Sequence, residues 1–136
     1  MKKVITTPNS KVIIISENIN FRNNLASKLR LENYDVELAT GGFHLLHLLE
    51  KDNNKTLIIC NGDMPDMPAL EMISLARVVR TKLELPIIYI SKEAPDNDIV
   101  SLIQTGNIDY LIQSTNFNSI VERAQKYFHQ MKQNAA

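Results

Sequence analysis

The chain has 136 residues, with 15 basic and 15 acidic side chains that balance to a formal net charge of zero. That length is most simply one domain with a core large enough to need no staples, and the balanced charge gives no sign of the clustered Lys and Arg of a nucleic-acid surface or a membrane surface. The single cysteine, Cys60, cannot form an internal disulfide, and no apolar run approaches the ~20 residues of a membrane span. The first ten residues lack the ~7–15-residue apolar stretch of a secretory signal. The expected organisation is a tail over 1–10, one domain over 11–132, and a tail or linker start over 133–136. The expected location is the cytoplasm.

Residues 11–16 form a β-branched run, the mark of a strand buried on both faces. Asn18 or Asn20 can cap the helix that follows, which carries Phe21, Leu25, Ala26 and Leu29 at helical spacing. Asn33 stands where that helix should end, because Asn tolerates a left-handed exit. Residues 34–39 alternate as a second strand. Gly41-Gly42 leads into a helix from Phe43 to about Lys51, whose apolar residues Phe43, Leu45, Leu46, Leu48 and Leu49 cover more than one face. Phe43 and Leu48 either fill local core or stand exposed as anchors for a partner.

A third strand, 56–60, ends at Asn61. Met64-Pro65 follow, and Pro68 reads as a first-turn proline for a helix through Met72, Ile73 and Ala76. The fourth strand covers 85–91. Asp96 or Asn97 caps a short helix with Ile99, Leu102 and Ile103, ended by Gly106. The fifth strand is 109–113, and Asn116 or Asn118 opens the last helix. Five strands alternating with five helices imply an α/β, doubly wound, flavodoxin-like (βα)5 parallel sheet of order 2-1-3-4-5. Its functional rim lies where strands one, three, four and five end: Ser16-Glu17, Asn61, Ser91 and Gln113.

The strand-one exit Ile-Ser-Glu-Asn, the Met64-Pro65 after strand three, Leu85-Pro86-Ile87-Ile88 before Ser91, and the run Gly106-Asn107-Ile108-Asp109-Tyr110-Leu111 together resemble the receiver domain of bacterial response regulators, the CheY-like family. The resemblance covers about 11–131. It implies phosphoryl transfer to one aspartate, Mg²⁺ held by that aspartate and two acids after strand one, and a hydroxyl and a lysine that contact the phosphoryl group. At the positions that match, this protein has Asn61 as acceptor, Ser16 and Glu17 as the two acids, Ser91 as the hydroxyl and Gln113 as the lysine. Ser114 stands in place of the usual proline. Tyr110 falls at the aromatic switch position.

An amide offers no carboxylate to phosphorylate, and Mg²⁺ wants hard, charged oxygen ligands. With Glu17 the one remaining acid of three, metal affinity should collapse, and a developing phosphoryl charge would lack its ammonium partner. Asn61 and Gln113 are both amides and can hydrogen-bond to each other. The expected rim is therefore a quiet one of Ser16, Asn61, Ser91 and Gln113, with Asn61–Gln113 in direct contact.

These readings make the protein a degenerate pseudo-receiver: not an enzyme, without a cofactor, and acting as a phosphorylation-independent protein-interaction module in bacterial signalling. The alternatives are an atypical response regulator that still takes phosphate through another residue or ligand, and a small-ligand sensor using the emptied pocket. A partner surface is expected at Phe43 and Leu48, or on the face of helix four, strand five and helix five with Ile99, Leu102, Tyr110 and Phe117, where the family also dimerises. Asp63 reads as a solvated loop acid that with Glu17 would hold a divalent ion only weakly. His44 and His47 read as surface residues. Asn61-Gly62 is a deamidation-prone pair, an event to watch by intact mass rather than a mechanism.

Overall fold

The computed structural model of the protein describes residues 10–51, 54–81, 84–92, 94–105, 108–112 and 116–134. Its elements are β1 (Ser10–Ser16), α1 (Ile19–Leu31), β2 (Asp35–Ala39), α2 (Gly42–Lys51), β3 (Lys55–Asn61), α3 (Ala69–Val79), β4 (Ile87–Ser91), α4 (Asn97–Thr105), β5 (Ile108–Ile112) and α5 (Phe117–Asn134). The five strands form one parallel sheet in the order β2-β1-β3-β4-β5. This is the flavodoxin-like arrangement expected from the alternation of elements. β1 is buried along its whole length, as a central parallel strand must be.

Side chains alternate across the sheet and build two cores. One face carries Ile13, Ile15, Ile58, Cys60 and Ile87 against Leu45, Leu48, Leu49, Met72, Ile73 and Ala76 of α2 and α3. The other carries Val12, Ile14, Leu57, Ile59, Ile88 and Ile90 against Phe21, Leu25 and Leu29 of α1 and Ile120, Val121, Ala124 and Phe128 of α5. Rings add to the second core: Phe21 lies 5.6 Å from Phe117, and Tyr34 stacks on Phe128 at 4.9 Å, distances at which aromatic pairs attract beyond simple burial.

The helix signals resolve to single residues. Asn18 Oδ1 accepts from the Phe21 N–H at 3.0 Å, Asp96 Oδ1 from Ile99 at 2.9 Å, and Asn116 Oδ1 from Ser119 at 2.9 Å. Asn33 takes the left-handed conformation, φ 70°, after the last turn of α1. The boundaries shift slightly. β3 extends to include Asn61, and β4 begins at Ile87 rather than 85. Pro68 is the residue before α3 rather than its first, with ψ 153° and no polar group that could cap the helix.

α2 and α3 are tied into one unit at both ends. At the C-terminal end of α2, Arg80 donates to the Leu49 carbonyl at 2.9 Å, the Asn54 carbonyl at 2.7 Å and Thr56 Oγ1 at 3.1 Å. Those carbonyls include one left open by the end of α2. At the N-terminal end, the Asp66 carboxylate accepts from Gly42 N–H at 2.9 Å and Phe43 N–H at 3.1 Å. At the β2 edge of the sheet, buried Lys11 meets Glu37 at 2.6 Å, and Lys51 reaches the same carboxylate at 3.4 Å.

Candidate functional site

β1, β3 and β4 end side by side, with Ser16 in register with Asn61 and Asn61 with Ile90. Their exits therefore converge on one open cavity of about 320 Å³, lined by Ser16, Glu17, Asn18, Asn61, Gly62, Asp63, Ser91 and Lys92. This is the carboxyl edge where open α/β sheets place their ligands. The structure thus brings Ser16, Glu17, Asn61 and Ser91 together at the edge where strand exits and family resemblance put them. Gln113 lies outside the described residues, and with it the expected Asn61–Gln113 hydrogen bond.

Each lining residue is set by its local structure. Ser16 is buried, and its hydroxyl accepts from the Asn18 N–H at 3.1 Å, so it shapes the entry to α1. Asn61 is half-buried at the end of β3 and Glu17 is exposed. Gly62 makes the turn with φ 82°, a conformation that costs glycine nothing. Cys60 points into the core below, where burial pushes its thiol up to about 12. Tyr89, in register with Cys60, is pushed up to about 12 first by burial and then by Cys60 and Asp63. It packs edge-on against Tyr110 at 5.6 Å.

Asp63 is the solvated loop acid expected, and it has a structural role besides. It is exposed, but its Oδ1 accepts from the Ala69 N–H at 2.8 Å. It therefore does the capping that Pro68 cannot do for α3. Between these residues the backbone folds into a tight loop, with Met64 N–H to Met67 O at 3.1 Å and Met67 N–H to Met64 O at 3.2 Å. Both methionines are buried. Asp66 follows Pro65 and crosses to α2, and the Gly42 and Phe43 N–H groups hold its carboxyl below the usual carboxylate range. Sequence reasoning missed this second cap because its partners lie 24 and 23 residues away. The available signal was Gly41-Gly42: a Cβ at Gly41 would come within 2.8 Å of the Asp66 carboxylate, and one at Gly42 within 2.5 Å of Met67.

Two further residues take on roles that the sequence did not indicate. Lys92 contributes a cation to the cavity directly after Ser91, whereas the family resemblance directed attention to a cation after β5. His44 is half-buried, and its Nδ1 accepts from the Thr40 N–H at 2.9 Å, which requires the ring to carry its proton on Nε2. Of the two open residues on α2, Leu48 belongs to the core at 5% exposure while Phe43 stands out at 64%. Leu48 is thereby corrected as a surface anchor. Ile99 and Tyr110 are partly buried against the α2–α3 core and Phe117 against the α1–α5 core. That face is less open than its sequence suggests, and the Leu102 side chain lies outside the described residues.

Among the described residues, no group of three His, Cys, Asp or Glu side chains stands close enough to hold a metal ion, and no helix is long and apolar enough to cross a membrane.

The family model for the response regulator receiver domain matches residues 12–125. The protein belongs to that family, whose members generally act as non-enzymatic modules of two-component signalling and interact with other proteins. It is 25% identical over 111 residues to the two-component response regulator ORR3 of Oryza sativa subsp. indica, covering 82% of this sequence and 85% of that protein. It is 24% identical over 104 residues to a chemotaxis protein CheY homolog of Campylobacter jejuni, covering 76% and 80%. Among solved structures, a CheY-like receiver domain protein from Methanospirillum hungatei superposes with a TM-score of 0.81 at 18% identity, over 92% of this sequence and 98% of that one. The beryllofluoride-activated NtrC4 receiver domain, solved as a dimer, superposes at 0.77 with 15% identity, over 89% and 98%.

Proposed function

We propose that this receiver works without phosphorylation, as a protein-interaction module in two-component signalling. The observation that carries the reading is the pair facing each other across β1 and β3, Ser16 opposite Asn61. Where the family resemblance implies two carboxylates, the protein has a hydroxyl engaged with Asn18 and an amide. Neither can accept a phosphoryl group as an acyl phosphate, and neither is a hard anionic ligand. Asp63 already serves α3, so Glu17 is the lining acid left for a cation. The residues present do not fit the Mg²⁺ that the resemblance implies. Gln113 at the lysine position adds to the same reading. Contacts with a partner then fall to the surface, where Phe43 is an exposed apolar residue tied through its N–H to the loop after β3.

An NMR titration with Mg²⁺ and beryllofluoride tests this. The amides of Asn61, Ser91 and Tyr110 should stay in place. A clear shift at millimolar Mg²⁺ would overturn the proposal in favour of a second reading, an atypical acceptor. Glu17, which lines the same cavity as Ser91 and Lys92, favours that second reading.

A further inference from the structure

Asn61-Gly62 is the one Asn-Gly pair in the sequence, and the fold places it at a junction. Asn61 is the last residue of β3, half-buried on the wall of an open cavity. Gly62 lies just past the strand with φ 82°, and a Cβ built there meets nothing within 4 Å. Asn61 is paired with β1 on one side and β4 on the other, so the chain leaves the sheet at Gly62, where there is open space around the turn. We propose that Asn61 is a self-modification site whose co-reactant is water. The Gly62 backbone nitrogen attacks Asn61 Cγ, forming a new C–N bond and a five-membered succinimide. The bond from Cγ to the amide nitrogen Nδ2 breaks, and that nitrogen leaves as ammonia with the proton that the peptide nitrogen gives up. Water then opens either imide carbonyl. One opening yields aspartate with the backbone unchanged. The other yields isoaspartate, in which the former Cβ has become part of the backbone.

The two products have different structural consequences. Aspartate adds one negative charge to a cavity already lined by Glu17, Asp63 and Lys92. Isoaspartate lengthens the backbone by one atom just upstream of two caps set by that loop, Asp63 on Ala69 and Asp66 on Gly42. Isoaspartate therefore loosens α2 and α3, and aspartate does not. None of this depends on whether the cavity accepts phosphate.

The test is incubation of the folded protein in mildly alkaline buffer at body temperature, followed by digestion and mass spectrometry with fragmentation that separates aspartate from isoaspartate. The expected result is a gain of one mass unit at Asn61 ahead of every other asparagine, as a mixture of both products. The isoaspartate fraction should unfold at lower denaturant than a recombinant Asn61→Asp protein. Gly62→Asn keeps a residue that tolerates positive φ and should lose the modification while keeping the fold. The proposal fails if Asn61 remains intact in the folded protein after a synthetic peptide spanning 58–65 has converted. It also fails if Gly62→Asn converts as fast as the native protein, or if the two product forms unfold alike.

Discussion

At the scale of single residues, neighbours separate side chains that look alike in sequence. Phe43 and Leu48 are both large apolar residues on α2, yet Leu48 is in the core and Phe43 is in solvent. Leu48→Ala should cost about 2–4 kcal/mol by lost burial and the cavity left behind, read as a lowered urea midpoint. Phe43→Ala should stay within about 0.5 kcal/mol and show its effect, if Phe43 meets a partner, only in binding. Asn61→Asp alone should not restore phosphoryl acceptance, because Ser16 and Gln113 still lack the acid and the cation. An unchanged NMR spectrum with Mg²⁺ and beryllofluoride checks this, and a shifted one contradicts it. Glu37 shows how burial and charge combine. A hydrogen bond from Lys11 holds its carboxyl below the ordinary range. That stabilisation is complete above the unfolded value of about 4.3 and drains away as pH falls through the lower folded value. Glu37→Gln should remove that acid-side dependence at a cost of roughly 1–2 kcal/mol, between an exposed pair and a fully buried one; denaturant titrations across acidic pH measure both.

At the scale of elements, α2 depends on residues outside itself. Arg80 closes its C-terminal end through three acceptors, so Arg80→Ala should cost about 2–3 kcal/mol, since hydrogen bonds from a charged donor are worth ~1.5–3 each and do not add fully. Arg80→Lys should recover little of this, because an ammonium lacks the planar fork. Gly41→Ala should push the Asp66 carboxylate off the other end. It should therefore be strongly non-additive with Asp66→Ala in a double-mutant cycle, whereas additive losses would show that the close approach to Asp66 is not what constrains Gly41. The elements themselves were legible in the sequence because their signals are local: a β-branched run for β1, Asn18 and Asn116 at helix starts, Asn33 at a helix exit. The cavity residues on β1, β3 and β4 followed from strand exits and from the family resemblance. Asp66 and Arg80 were not legible, because each acts on backbone groups 23 to 31 residues away, and nothing in a window of sequence records that distance. The exposure of Asp63 was legible, but its cap on α3 was not: its partner is the backbone N–H of Ala69, and no side chain there advertises the need for a cap.

At the scale of the whole molecule, the sheet divides the protein into two cores, and Cys60 reports on one of them. It is fully buried, and its thiol stays protonated through the neutral range. Thiolate is the reactive form, so alkylation of Cys60 should follow global unfolding, with a rate that rises with denaturant. Rapid labelling of the native protein would show that the α2–α3 side opens by itself. The loop after β3 also has a consequence for the order in which the molecule is made. The first turn of α2 is closed by a carboxylate 24 residues further along the sequence, and that carboxylate is in place only once Met64 and Met67 have paired. α2 is therefore a helix that synthesis reaches early and completes late. The expected order is that its N-terminal turn closes only after β3 has added to the sheet. In refolding, loss of Asp66 should quicken unfolding far more than it slows folding.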